Sequence, residues 1–177
     1  MAILKIARMG HPILAQPAAE VPDPLAPEVL QLVDDMVETM FDAPGQGLAA
    51  PQVHVGLRVA VFITPPDAAG KRELVRLINP TWEKLDDAQD MAWEGCLSVP
   101  GLRGLVPRYT RIRYAGILPD GGRLEREVEG WHARVVQHEF DHLDGILYPQ
   151  RMQDLRDLVF ESELRHRQAL KPEEQEE

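Results

Sequence analysis

The residues with the most chemistry in them are Gln137-His138-Glu139-Phe140-Asp141-His142. They contain the pattern H-E-x-x-H: two histidines four positions apart, with a glutamate directly after the first. On an α-helix, positions i and i+4 share a face, so both imidazoles can converge on one metal ion. Position i+1 points elsewhere around the helix, which lets Glu139 stand beside the metal as a base without ligating it. The His and Glu frequencies of this chain give roughly 0.02 chance matches per chain of this length, so the pattern is informative but not decisive. The plain alternative is a solvated helix face with two ordinary histidines. Two ligands do not make a site, and the rest of the chain must supply a third.

The chain has one cysteine, Cys96, within Trp93-Glu94-Gly95-Cys96-Leu97-Ser98-Val99-Pro100-Gly101. A lone cysteine is often only a small buried hydrophobe. Here Gly95 keeps its neighbourhood sterically open, and a thiolate is a good soft ligand for zinc or ferrous iron. Cys96 is therefore the candidate third ligand beside His138 and His142. A third segment, Gly45-Gln46-Gly47-Leu48-Ala49-Ala50-Pro51-Gln52, has two glycines flanking one residue. It lacks the third glycine and the following helix of a dinucleotide fingerprint. It reads either as a tight loop or as backbone exposed for hydrogen bonding to an extended ligand, with Gln52 as a polar endpoint.

The elements that must position these residues follow from periodicity. Residues 131–143 read as a helix, with Trp131, Val135, His138 and His142 near one stripe and Val136, Phe140 and Leu143 on an adjacent apolar face. A second helix is expected from an Asp23-Pro24 start to about Phe41, its buried stripe formed by Val29, Leu30, Val33, Met36, Val37 and Met40. Residues 57–63 and 74–79 read as strands, the latter closed by Pro80, and residues 83–90 as an acidic connection. Pro100-Gly101 ends an extended stretch. Residues 111–116 and 123–128 form a β-hairpin around Pro119-Asp120-Gly121-Gly122. Residues 146–148 are a candidate short strand and residues 152–168 a candidate last helix. Residues 1–22 read as an arm laid on the core. Residues 1–170 make one domain, and 171–177 a polar, disordered tail.

The totals fit this reading. The 177 residues suit one domain with a real core, and 44% hydrophobic with 27% charged residues is ordinary for a globular protein. The formal net charge of −10 disfavours broad nucleic-acid binding, which needs cations against phosphates. No secretory signal or membrane-length apolar run is present. One cysteine permits no intrachain disulfide, as expected in a reducing cytoplasm.

Taken together, the Gly45–Gln52 loop, Glu94 to Ser98 and Gln137 to His142 resemble the peptide deformylase family in motif, order and spacing. The resemblance runs from about residue 3 to residue 160. It implies an α+β fold, with antiparallel sheets wrapped around the helix that carries H-E-x-x-H. It implies removal of the N-formyl group from the initiator methionine of nascent polypeptides. It implies one divalent metal, Fe²⁺ in the cell, with Zn²⁺, Ni²⁺ or Co²⁺ able to take the same place. The chain departs from the family at position 46, which is usually apolar and here is Gln. Gly130-Trp131-His132-Ala133-Arg134 resembles the organelle-type subgroup, although no transit peptide is visible and the chain reads as bacterial and cytoplasmic.

The resemblance also distributes roles. Cys96, His138 and His142 would hold the metal and Glu139 would carry the proton. The Gln52 side-chain amide and the Leu97 N–H would receive the developing oxyanion. The backbone of Gly45, Gln46, Gly47 and Leu48 would pair with the substrate as an added strand. Trp131 and Val135 would line the methionine pocket, with Gly95 in the substrate groove, and Arg103 would either contact the peptide backbone or be an ordinary surface arginine. Glu94 needs a partner, for which Arg108 is the candidate. Asp141 either orients a neighbour of the metal ligands or is solvated. The expected partners are formyl-methionyl nascent peptides and the ribosome near its exit tunnel, with no membrane and no specific nucleic acid.

Two other classes compete. A zinc endopeptidase would need a third ligand downstream, and only His166, Glu161 and Glu163 are offered there outside the tail. A protein with a structural metal would need a closed four-ligand site, for which one cysteine is a poor start.

Overall fold

Helix α1 spans Pro27–Asp42. It starts later than the Asp23-Pro24 signal suggests. Asp23 closes only a local turn, its carboxylate accepting the Leu25 N–H at 3.1 Å, and a residue before proline is driven out of the helical region, so Ala26 stays extended and the helix opens on Pro27. Residues 2–169 are described by the structure, a computed structural model. The expectation of a disordered tail at 171–177 lies outside the described residues.

After α1 come β1 (Gly47–Ala49), β2 (Val59–Ile63), β3 (Leu74–Lys84), β4 (Gln89–Cys96), β5 (Val99–Tyr109), β6 (Arg111–Ile117) and β7 (Arg123–Glu129). Helix α2 (Gly130–Leu143), β8 (Leu158–Phe160) and α3 (Leu164–Ala169) follow. The strands make a five-stranded sheet in the order β1-β2-β3-β6-β7 and a three-stranded sheet in the order β4-β5-β8. Every strand pairing in them is antiparallel. This is the expected α+β arrangement, with β1 and β4 as sheet edges.

Strand β2 shows why the layers stack as they do. Val59 and Val61 pack with Val29, Val33, Met36 and Met40 of α1. Ala60 and Phe62, pointing to the other face, pack with Ala133, Val136, Phe140 and Leu143 of α2. A strand buried on both faces reads as a continuous apolar run. Each of the Val, Leu, Met and Phe side chains among these, taken fully from water, contributes about 1.5–3 kcal/mol. Helix α2 follows β7 with no loop. Gly130, at φ +57°, makes the turn from strand to helix.

Four local expectations fail for identifiable reasons. Pro80 does not close β3: the strand passes it through a register shift between Ile78 and Thr81, with Asn79 at φ +50°. Proline and a left-handed Asn are tolerated at such a bulge. Pro100-Gly101 does not end the extended stretch, because the β4–β5 turn falls earlier, at Leu97 and Ser98, where Cys96 still pairs with Val99. Residues 146–148 form no strand; Tyr148–Arg151 is a 3₁₀ turn held by the Gln150 amide oxygen, which accepts the Leu147 N–H. Residues 152–168 are not one helix, since Leu158–Phe160 pairs with Leu102, Arg103 and Gly104 of β5; the α-helix is confined to α3, with 3₁₀ turns at Leu155–Asp157 and Glu161–Glu163.

Candidate active site

Helix α2 carries His138 and His142 on one face, with their rings 5.0 Å apart and nearly perpendicular. The end of β4 brings Cys96 to them. Sγ lies 3.4 Å from His142 Nε2, and one donor atom each from Cys96, His138 and His142 falls within 4.8 Å of the others. These are the three donors that the sequence motifs single out, contributed by two elements 46 residues apart.

A metal fits this set. One thiolate and two imidazoles suit a divalent zinc- or iron-type cation, and a three-donor set leaves a position open for chemistry. His138 Nδ1 is 2.8 Å from Glu94 Oε2, which orients the ring and turns its other nitrogen toward the cluster. Burial alone would push the Cys96 thiol up, but the His142 and His138 imidazoles outweigh it and hold the thiol well below its usual range. Burial likewise works against a charged His138, yet Cys96 and Glu94 raise it well above an ordinary histidine. Cys96 and His138 thus each favour the charged form of the other.

Glu139 is buried beside this cluster. Its Oε2 has no hydrogen-bond partner among the described residues, an arrangement native proteins rarely leave without a use. Burial pushes its pKa up to about 7, although the two histidines pull it down. Its other oxygen lies against Gly47, where a Cβ would come within 2.1 Å of Oε1. Glycine at 47 is thus a condition for Glu139 to sit where it does.

Gln52 enters from the turn after β1. Its Oε1 accepts the Ala49 N–H at 2.8 Å, while Nε2 donates to Ser98 Oγ at 3.1 Å and reaches Cys96 Sγ at 3.5 Å. The amide therefore points its donor end at the donor cluster. Leu97 lies between Cys96 and Ser98 at the hairpin turn.

Around these groups is a cavity of about 530 Å³. Gly45, Gln46, Gly47, Gly95, Leu97, Arg103, Trp131 and Val135 all line it, together with Gln52, Cys96, His138 and Glu139. Leu48 is the exception: its side chain is buried in the α1 core, so only its backbone belongs to the β1 edge. Gln46 Oε1 accepts the Trp131 indole N–H at 3.3 Å, which ties the loop before β1 to the first turn of α2. Glu161 also reaches the cavity, but paired with Arg103; neither it, Glu163 nor His166 belongs to the donor cluster.

Beneath the cluster lies a buried ion network. Arg108 donates to both oxygens of Glu94 at 2.9 Å, as its expected partner, and to Asp141 Oδ2 at 2.5 Å. Asp141 is not solvated; Arg151 also clasps it, at 2.7 and 3.1 Å. Burial would raise Glu94, but His138 and Arg108 hold it far below the carboxylate range. Arg134, Ser98 and Trp93 were not foreseen. Arg134 donates to Glu94 Oε1 and to the Val106 carbonyl, each at 2.8 Å. Its signal was present, since it stands four residues before His138 on the helix face that points to the cluster.

A buried H-E-x-x-H helix, a cysteine from a neighbouring hairpin and an open cavity beside a carboxylate with one oxygen unpartnered among the described residues define the site of a metal-dependent hydrolase. The sequence model described as polypeptide deformylase matches residues 3–157. Peptide deformylase 1 of Bordetella pertussis is 54% identical over 155 residues, covering 85% of this chain and 88% of its own. Peptide deformylase 1 of Nitrosomonas europaea is 50% identical over 159 residues, covering 87% and 90%. Among solved structures, the peptide deformylase of Thermotoga maritima superposes with a TM-score of 0.78 at 35% identity, covering 87% of this chain and 100% of its own. The class I type b peptide deformylase of Acinetobacter baumannii with Met-Ala-Ser bound gives 0.79 at 34% identity, covering 85% and 99%. The chain belongs to the polypeptide deformylase family. It is a metal-dependent hydrolase that removes the N-formyl group from nascent peptides.

Proposed function

We propose that this chain releases formate from formyl-methionyl ends with Glu139 as the proton carrier, beside a metal held by Cys96, His138 and His142. The observation that carries the reading is the Glu139 carboxylate, buried, with one oxygen unpartnered among the described residues, next to three converging donors.

When bound, the metal supplies Lewis acidity, lowering the pKa of adjacent water and drawing charge from the formyl oxygen. Glu139 takes a proton from the water that attacks the formyl carbon. The same carboxyl group returns it to the amine as the C–N bond breaks, leaving formate and a free amino terminus. Gln52 Nε2 and the Leu97 N–H donate to the oxygen that gains charge, each contributing about 3 kcal/mol. The β1 edge from Gly45 to Leu48 pairs with the peptide as an added strand. Gly47 and Gly95 leave room for the Glu139 carboxylate and the Arg103 guanidinium, Trp131 and Val135 line the methionine pocket, and Arg103 contacts the peptide backbone.

Ferrous iron is the metal proposed for the cell, with zinc, nickel or cobalt able to enter in preparations; the mixed sulfur and nitrogen donor set suits all four. The cytoplasm is the proposed site of action, near the ribosomal exit tunnel where formylated chains emerge. No helix among the described residues is long and apolar enough to cross a membrane. The test is formate release from formyl-Met-Ala-Ser by protein purified without oxygen and loaded with Fe²⁺, with Glu139→Ala as control. Release that the substitution abolishes supports the reading. Release that survives it removes Glu139 from the role.

A further inference from the structure

One wall of the cavity carries a pair of opposite charges that the roles above leave only half used. The Arg103 guanidinium lies against Gly95, where a Cβ would come within 2.4 Å of Nη1, next to Cys96. From its other side Glu161 Oε1 accepts Nη2–H at 2.6 Å and Nε–H at 3.2 Å. The pairing is built in by the fold. Strand β8 joins β5 through Leu102 with Phe160 and Arg103 with Val159, so the residue after β8 arrives beside Arg103. Both side chains line the cavity and both meet solvent, at 37% and 56% exposure. Of the other charged groups that line the cavity, Glu94 is committed to Arg108, Arg134 and His138, Arg134 also to Asp90, and Glu139 belongs to the reacting end beside the three donors.

A peptide whose formylated end reaches Glu139 must send its later residues along this wall. An uncompensated Arg103 would attract acidic residues there and repel basic ones. With Glu161 on it, the wall is neutral. We propose that Glu161 is a specificity-determining residue: by neutralising Arg103 it makes the groove even-handed toward acidic and basic side chains downstream of the formylated methionine. This rests on the site reading above and adds to it the range of sequences accepted. An enzyme acting on the amino ends of many proteins needs such tolerance, and a compensated charge pair provides it while leaving the guanidinium N–H groups near the peptide backbone.

The test compares kcat/KM for formyl-Met-Ala-Glu and formyl-Met-Ala-Lys, both as C-terminal amides so that only one side-chain charge differs. The wild-type enzyme gives a ratio near unity that salt leaves flat. Glu161→Gln shifts the ratio about threefold toward the Glu peptide, and Arg103→Gln about threefold toward the Lys peptide, the size expected of a partly exposed pair. Both shifts shrink at high salt, because exposed charges are screened. A wild-type ratio far from unity at low salt overturns the proposal. So do unchanged ratios in the variants, a shift in one variant alone, shifts of the same sign in both, or shifts that salt does not touch. Formate release from formyl-Met-Ala-Ser by the wild-type enzyme is measured alongside. Robust release with a failed ratio test sinks only the role of Glu161, whereas no release sinks the site reading beneath it.

Discussion

Glu139 occupies the space that a side chain on residue 47 would fill: a Cβ there would lie 2.1 Å from Oε1, 2.4 Å from Cδ and 2.7 Å from Cγ. The whole end of the carboxylate is involved, so swinging its tip cannot relieve the clash. Gly47→Ala must therefore move Glu139 or the β1 edge. A misplacement of about 1 Å at a reacting group costs about 100-fold in rate. The expected outcome is a fall in kcat of that order for formyl-Met-Ala-Ser, with a folded protein by circular dichroism. An alanine variant of near wild-type activity would show that the contact does not position the carboxylate.

Arg108 joins Glu94 and Asp141, both buried, and through Glu94 it reaches the ring of His138. Removing it leaves Glu94 with Arg134 and His138 and leaves Asp141 with Arg151, two buried carboxylates each short of one guanidinium. Breaking a buried ion pair by deleting one member costs about 3–5 kcal/mol. Arg123, whose side chain is 76% exposed and 4.0 Å from Glu125, should by contrast matter by less than about 0.5 kcal/mol. Denaturant unfolding of Arg108→Ala and Arg123→Ala reads the difference directly. Equal losses would mean that the network is not what holds this end of α2.

The uneven legibility of the sequence has physical causes. The α2 pattern was readable because a buried helix repeats its apolar face every turn, so His138, His142 and Phe140 declare their directions. Cys96 was readable as the sole thiol. The failures cluster where a distant segment decides. Leu158 and Val159 fit the apolar spacing of a helix with Leu155 and Leu164, but Leu158 to Phe160 take strand geometry because β5 offers an edge. Pro80 looks like a stop, yet the bulge absorbs it. The clasp of Arg151 on Asp141 had no local signal, whereas that of Arg134 on Glu94 did, at helical spacing from His138.

His132 supplies a pH dependence away from the metal site. It packs against Phe62 and Tyr114, its Nε2 3.3 Å from the Tyr114 hydroxyl. Burial lowers its pKa below the ordinary 6.5, with Arg126 acting in the same direction. The folded state then binds fewer protons than the unfolded state between the two pKa values. Stability rises with pH through that window and is lost as pH falls from about 6.5. His132→Phe keeps a ring of similar size without the titration. The wild type should therefore lose more stability than the variant between about pH 7 and pH 5 by chemical denaturation. Parallel curves would show that His132 titrates alike in both states.

Cys96 is the only cysteine of the chain, which turns metal occupancy into a single-site measurement. Its sulfur lies among His142, His138 and Gln52, on the wall of an open cavity. A small alkylating reagent can therefore reach it unless a metal occupies its lone pair. The neighbouring imidazoles lower the pKa of the thiol, which favours alkylation, so the stripped protein should react readily. Chelation is expected to abolish formate release and to expose one alkylation site by intact mass. Returning Fe²⁺ or Zn²⁺ before the reagent should restore protection, and returning it after alkylation should restore no activity. Labelling at the same rate with and without metal would mean that Cys96 is not a ligand. The two histidines would then need a different third partner.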